Sequence, residues 1–162
     1  ILAWQEALTH RLPMAVSVIP IIAGMSGNVG TQASSVTVRG IAVGEVDYQR
    51  LRSVVWKELV SGLVFASLFG LALYAFVVWV MPHMELGANA WPPGFSRFRV
   101  ALVPAIAMAA TILTGATTGT LVPLALHRLG RDPAVASSPF ISTMNDLVGI
   151  SILTGVVYLF LS

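Results

Sequence analysis

Asp146 is the one acidic side chain inside an otherwise apolar segment of membrane length, which runs from Pro139 to Leu161. A carboxylate at membrane depth costs roughly 2.5–3.5 kcal/mol on insertion scales, and such residues usually face a pathway or a partner. In a helix that begins at Ser138, Asp146 stands roughly 12 Å along the axis, because the rise is about 1.5 Å per residue. The chain offers no other buried acid or base to neutralise this carboxylate, which makes a cation the first candidate.

Two hydroxyl side chains share the predicted helical face of Asp146. Ser142 precedes it by one turn and Ser138 by two turns, so the three side chains stack along one side of the helix. A stripe of hydroxyl, hydroxyl and carboxylate offers the oxygen ligands that hard cations such as Mg²⁺ and Ca²⁺ favour. The alternative is a protonated structural Asp146 that hydrogen-bonds to a neighbouring helix.

The segment Gly27–Ser35 is small and polar, although it lies in a long stretch without Lys, Arg, Asp or Glu. Polar groups at membrane depth persist only where they are buried in protein or line water. Its glycines permit close approach or a non-helical turn that exposes carbonyl oxygens. Asn28, Thr31 and Gln32 add uncharged ligands, and Asn145 adds another amide beside Asp146. Helix packing by small residues is an equally good explanation of this segment.

Composition places the chain among membrane proteins. Of its 162 residues, 56% are hydrophobic and 10% charged, and mean hydropathy is +0.84, whereas soluble domains carry about 25% charged residues. No basic stripe with interleaved aromatics supports nucleic-acid binding. The absence of cysteine excludes disulfides and thiolate metal sites. Ser34 and Ser35 have no neighbouring His or Asp to activate a nucleophile, so no enzyme chemistry is indicated.

Four membrane segments are predicted in an all-α bundle, at residues 12–38, 59–81, 100–126 and 138–161. The loops at 39–58 and 127–137 hold six of the nine Lys and Arg residues. The positive-inside rule places these loops in the cytoplasm and both termini outside. No signal peptide is evident, and from the abrupt start at Ile1 we expect the chain to be a fragment or an excised domain.

Individual residues predict where these helices begin, end and pack. Pro13 and Pro20 are expected to break the first segment. Residues 47–57 are predicted to form a short amphipathic helix at the membrane surface, separate from the span that follows. Gly115 and Gly119 form a GxxxG pattern, which favours helix packing. Asp132–Pro133 marks a helix boundary, and the last helix starts with Ser137 or Ser138 as cap and Pro139 in its first turn.

Two blocks of sequence resemble a known family. They are PIIAGMSGNVGTQ at residues 20–32, followed by VRGIAVGE at 38–45, and RLGRDPAVASSPFISTMNDLVG at 128–149. They are similar to the membrane domain of MgtE-type magnesium transporters and of their animal solute-carrier relatives, in order along nearly the whole chain. The resemblance implies a homodimer with five membrane helices per subunit and a pore on the dimer axis, lined by the second and fifth helices. Residues 1–162 would then be a membrane-domain fragment with the second to fifth helices, without the family's acidic N domain and CBS pair.

The resemblance also implies roles for individual residues. Asp146 matches the pore carboxylate that holds a hydrated magnesium ion, and Gly27 and Ser142 match positions that offer backbone carbonyls to it. Thr31 stands where some members have a second Asn, and Ser138 where some have Asn before the Pro. Both departures keep an oxygen but lose an amide, which leaves secondary ion contacts and metal preference open.

The function expected from these observations is Mg²⁺ conduction past Asp146 across a bacterial cytoplasmic membrane. Asn28, Gln32 and Asn145 are further pore-lining candidates. The partners expected are the lipid bilayer, a second copy of the chain, and Mg²⁺. The sequence leaves open whether other divalent cations such as Co²⁺, Mn²⁺ or Ni²⁺ also pass. Two alternatives stay open: an exchanger that couples Na⁺ or H⁺ to a divalent cation, and a membrane scaffold that transports nothing.

Overall fold

The protein is described here by a computed structural model that covers residues 13–45, 51–84, 94–135 and 138–161. All regular structure in these ranges is helical, which confirms the all-α prediction. The four α-helices are α1 (Pro13–Ala42), α2 (Leu51–Ala75), α3 (Arg97–Arg128) and α4 (Ser138–Leu161). A π-helical turn at Phe76–Val80 and a 3-10 turn at Met81–His83 extend α2, and a 3-10 turn at Pro133–Val135 precedes α4.

Local chemistry explains where α3 begins and ends. The Ser96 hydroxyl accepts a hydrogen bond from the Arg99 N–H at 3.4 Å, which caps the first turn. Gly130 lies just beyond the last turn with φ of 68°, and its N–H bonds to the His127 carbonyl at 3.0 Å. A left-handed residue at this position ends a helix, and glycine adopts it without steric cost. The predicted boundary at Asp132–Pro133 lies beyond the end of α3, where the 3-10 turn Pro133–Val135 begins.

Two of the local predictions are wrong. The first segment is not broken at Pro20, because α1 runs unbroken from Pro13 to Ala42 and includes Gly27–Ser35. No non-helical turn exposes carbonyls there. The surface helix expected at residues 47–57 is not separate in the part described: α2 begins at Leu51 and continues through residue 57. No Pro or Gly lies between Leu51 and Ser61 to end a helix. Residues 47–50 of that prediction, and the Ser137 cap, lie outside the described residues.

Helix α3 is the centre of the bundle, since it packs against each of the other three helices. Its buried residues Val103, Met108 and Ile112 belong to one hydrophobic core. Val18 and Ile22 of α1, Ala66 and Leu73 of α2, and Leu153 and Val157 of α4 complete that core. Helix α1 packs on α3 and α4, so the two helices that carry the predicted site residues are direct neighbours.

Three helical segments in the described part of the chain are long and apolar enough to cross a membrane. They are Val55–His83, Arg97–Arg128 and Pro139–Phe160. Large apolar side chains of α2, among them Leu63, Leu68 and Leu71, are exposed on the outer surface, as expected for a helix in contact with lipid. Helix α1 is 30 residues long, but its second half is polar, so a fourth span at 12–38 remains a prediction.

The GxxxG pattern of α3 packs against α1, as the sequence predicts. A Cβ built on Gly115 would lie 2.7 Å from the Ser26 carbonyl oxygen, and one on Gly119 would collide with the Gly30 carbonyl oxygen. The Ser26 hydroxyl also donates to the Thr111 carbonyl of α3 at 2.9 Å. Small residues therefore bring the two backbones together, and a hydrogen bond between the helices adds to the contact.

Candidate functional site

Helices α1 and α4 bring Gly27, Ser142 and Asp146 together. A Cβ built on Gly27 would lie 2.9 Å from the Ser142 Oγ and 3.5 Å from the Asp146 Oδ1. Gly27 is more than a hundred positions from Ser142 and Asp146 in the chain but adjacent to both in the fold. Because Gly27 has no side chain, the serine hydroxyl and the carboxylate lie directly beside the backbone of α1.

The carboxylate of Asp146 is half-buried, as is Ser142, whereas Gly27 is fully buried. All Lys and Arg side chains that the structure describes are exposed, so none of these is buried next to the carboxylate. No group of three or more His, Cys, Asp or Glu side chains lies together within the described ranges. A cation beside Asp146 would therefore depend on neutral oxygens and on its own water for its other ligands.

Two further predicted ligands, Thr31 and Ser138, lie on the same two helices as Gly27 and Asp146. Thr31 lies one turn beyond Gly27 on α1 and is half-buried. Ser138 is the first residue of α4, two turns before Asp146; its side chain lies outside the described residues. A role for either residue in ion binding stays a prediction.

Asn28 and Gln32 occupy a different side of α1 from Gly27. They are exposed and line a groove of about 380 Å³ between α1 and α2, together with Glu58 and Ser61. The groove does not include Asp146. Within this one chain the two amides therefore do not join the Gly27–Asp146 face, because each residue step turns a helical side chain by about 100°.

Asn145 lies in the interior of the bundle, and its role as a pore-lining residue stays a prediction. Its side chain is 1% exposed, and its Oδ1 accepts a hydrogen bond from the Thr118 hydroxyl of α3 at 2.8 Å. In this structure Asn145 contacts protein and is closed off from the surface. Sequence reasoning missed Thr118 as its partner, although the concentration of threonines around the GxxxG pattern of α3 was a usable signal.

The contact at Gly27 predicts a suppressor. Gly27→Ala should reduce Mg²⁺ flux, because the new methyl group would lie 2.9 Å from the Ser142 Oγ and displace it or Asp146. Adding Ser142→Ala should restore flux at least partly, because the clashing oxygen is gone and the Ser142 Cβ lies 3.7 Å away. Flux into proteoliposomes by the natural protein that contains this chain would test the pair.

Ser142→Ala alone is the control for that pair. It should retain flux if Ser142 contributes its backbone carbonyl, as the family resemblance implies. A double variant no better than Gly27→Ala would contradict the predicted steric cause.

Comparison with known proteins gives the family. The model of MgtE, a family described as divalent cation transporters, matches residues 19–156. The chain belongs to the MgtE family. This membership confirms the resemblance seen in the sequence, and a family of transporters agrees with the prediction that the chain is not an enzyme.

Three curated relatives support the assignment, and each carries the name "Magnesium transporter MgtE". The protein from Enterococcus faecalis is 32% identical over 96% of this chain and 31% of its own length. Those from Bacillus subtilis and Thermus thermophilus are each 26% identical, over 98% and 99% of this chain. Each match covers 32% of the relative's own length. The chain thus spans about a third of the MgtE relatives that it matches.

Proposed function

We propose that this chain forms the ion pathway of a magnesium transporter, and that hydrated Mg²⁺ passes the Asp146 carboxylate. The observation that carries the proposal is the contact between α1 and α4, where Asp146 and Ser142 lie against Gly27. Membership of a divalent cation transporter family and the names of three relatives support the choice of ion.

The chemistry of Mg²⁺ suits this arrangement. Mg²⁺ sheds its water reluctantly and usually keeps several water molecules when one or two carboxylates bind it. A single carboxylate flanked by a hydroxyl and a glycine without a side chain suits such an ion better than a cage of many protein ligands. The water shell then donates hydrogen bonds to the Asp146 carboxylate and to nearby oxygens.

A second copy of the chain would complete the site. In the proposed homodimer, two Asp146 carboxylates approach each other across the axis and repel strongly in a medium of low dielectric. A divalent cation between them relieves that repulsion, and a monovalent cation gains less. Preference for divalent ions follows from this charge difference. The proposed setting is a bacterial cytoplasmic membrane, with the loops at 39–58 and 127–137 on the cytoplasmic side.

Transport driven by a Mg²⁺ gradient alone distinguishes this proposal from the exchanger. The natural protein in proteoliposomes should take up Mg²⁺ when Na⁺ is absent and pH is equal on both sides, because conduction needs no counter-ion. Uptake that requires an opposing Na⁺ or proton gradient would support the exchanger instead. Protein-free vesicles are the control. A folded protein that carries no Mg²⁺ under any gradient would instead support the membrane scaffold that transports nothing.

A further inference from the structure

The side chain of Asn145 joins α4 to α3 in the interior of the bundle. Its Oδ1 accepts a hydrogen bond of 2.8 Å from the Thr118 hydroxyl, and the side chain is 1% exposed. The Thr118 hydroxyl also lies 2.9 Å from the Thr114 carbonyl oxygen and 3.1 Å from the Gly115 carbonyl oxygen of its own helix, so these acceptors compete with Asn145 for its single proton. The bond between Thr118 and Asn145 joins α3 to α4 through a buried side chain of α4.

The other end of the same amide fits between two glycines. A Cβ built on Gly30 of α1 would collide with the Asn145 Nδ2, and one on Gly115 of α3 would lie 3.5 Å from it. The Nδ2 atom has no hydrogen-bond partner among the described residues. A buried donor without a partner costs free energy, so the fit between the glycines and the bond to Thr118 hold the amide in this position.

Asn145 directly precedes Asp146, and this adjacency gives it a consequence for the ion site. Successive side chains on a helix are separated by about 100° of rotation. Holding Asn145 between α1 and α3 therefore fixes the direction of Asp146 and of Ser142, one turn away on the same face. In the structure that direction is toward Gly27.

We propose that Asn145 is a positioning residue for ion transport. Its bond to Thr118 and its fit between Gly30 and Gly115 set the rotation of α4 that places Asp146 beside Gly27. This inference rests on the proposed function, since it assigns Asn145 a task only if Asp146 meets the ion. Asn145 itself contacts helices and not the ion.

Replacing the threonine tests the proposal without altering α4. In the full natural protein, Thr118→Val removes the hydroxyl but keeps the branched shape. We expect a roughly fivefold rise in the half-saturating Mg²⁺ concentration of the folded transporter, the scale of one net hydrogen bond. The thermal midpoint should fall slightly as well, because the buried Asn145 Oδ1 loses its donor. Thr118→Ser, which keeps the hydroxyl, should restore the wild-type value. Thr117→Val is the matched control, because the Thr117 hydroxyl bonds to the Leu113 carbonyl of its own helix.

A second variant replaces Asn145, the acceptor of the same hydrogen bond. Asn145→Ala should raise the half-saturating concentration by a similar factor, and combining it with Thr118→Val should add little, because both changes remove the same bond. Flux should be expressed per folded transporter, measured from the monodisperse peak after gel filtration.

The outcomes separate the two proposals. If Thr118→Val and Asn145→Ala lower flux only in proportion to the loss of folded protein, the residues are structural and the positioning role is overturned. The same holds if Thr118→Val matches wild type while Asp146→Asn is inactive. If the wild-type protein carries no Mg²⁺, or if Asp146→Asn carries it normally, the proposed function fails and the positioning role fails with it.

Discussion

Asp146→Asn should abolish Mg²⁺ flux and leave the protein folded. The substitution keeps the size and shape of the side chain but removes its charge and replaces one acceptor oxygen by a donor NH2 group. A divalent ion about 5 Å from one carboxylate gains about 2 kcal/mol at the dielectric constant of water and about 7 kcal/mol at an effective value of 20. Flux in proteoliposomes should therefore fall at least roughly tenfold for each carboxylate lost, and roughly a hundredfold if two subunits contribute.

Glu58→Gln is the matched control for that experiment. Glu58 and Asp146 are the half-buried carboxylates of the described residues, but Glu58 lines the groove between α1 and α2 and not the Gly27 face. The Glu58→Gln variant should keep the wild-type Mg²⁺ flux. Normal Mg²⁺ flux through a correctly folded Asp146→Asn protein would contradict the proposed pathway. An equal loss of flux in Asp146→Asn and Glu58→Gln would indicate a general effect of charge.

Gly119→Ala should be the most damaging of the small substitutions in the bundle. The added methyl group would collide with the Gly30 carbonyl oxygen, and the Ala33 Cβ lies 3.0 Å from its position. Backbone atoms cannot move aside as a side chain can, so α1 and α3 must separate. Overpacking of this kind costs about 1–3 kcal/mol or more, and the change should appear as a lower midpoint of thermal unfolding in mild detergent.

Gly24→Ala is the matched control on α1, because a Cβ at Gly24 meets nothing within 4 Å. Alanine is favoured over glycine inside a helix by about 1 kcal/mol, so this variant should unfold at the same temperature as wild type or slightly above it. Equal midpoints for Gly119→Ala and Gly24→Ala would show that the close approach of α1 and α3 does not limit stability.

Helix limits could be predicted well where the chain carries its own stop signals. The predicted span 138–161 coincides with α4, because Pro139 suits a first helical turn and an apolar run follows. The predicted span 100–126 lies within α3 and is short by a few residues at each end. The start of α2 was missed because charged residues were taken to mark a separate surface helix, whereas no residue there interrupts the hydrogen bonds of a continuous one.

Side-chain direction was harder to predict than helix position. Asn28, Gln32 and Asn145 are close in sequence to residues of the Gly27–Asp146 face, and their amides suit the same chemistry. In the structure the first two line a groove with α2, and Asn145 is buried against Thr118. A polar residue one step along a helix points about 100° away, and which neighbour it then meets depends on how the helices pack.

The amino-acid order alone was enough to predict a helical membrane protein, the family resemblance and a stripe of oxygen ligands that ends at Asp146. Those conclusions rest on composition, on local helical spacing and on motifs, which belong to the chain before it folds. The approach of Asp146 to Gly27 and the burial of Asn145 against α1 and α3 were decided by tertiary structure. They depend on which faces of α1, α3 and α4 meet, and that is set by the close approach that Gly30, Gly115 and Gly119 permit.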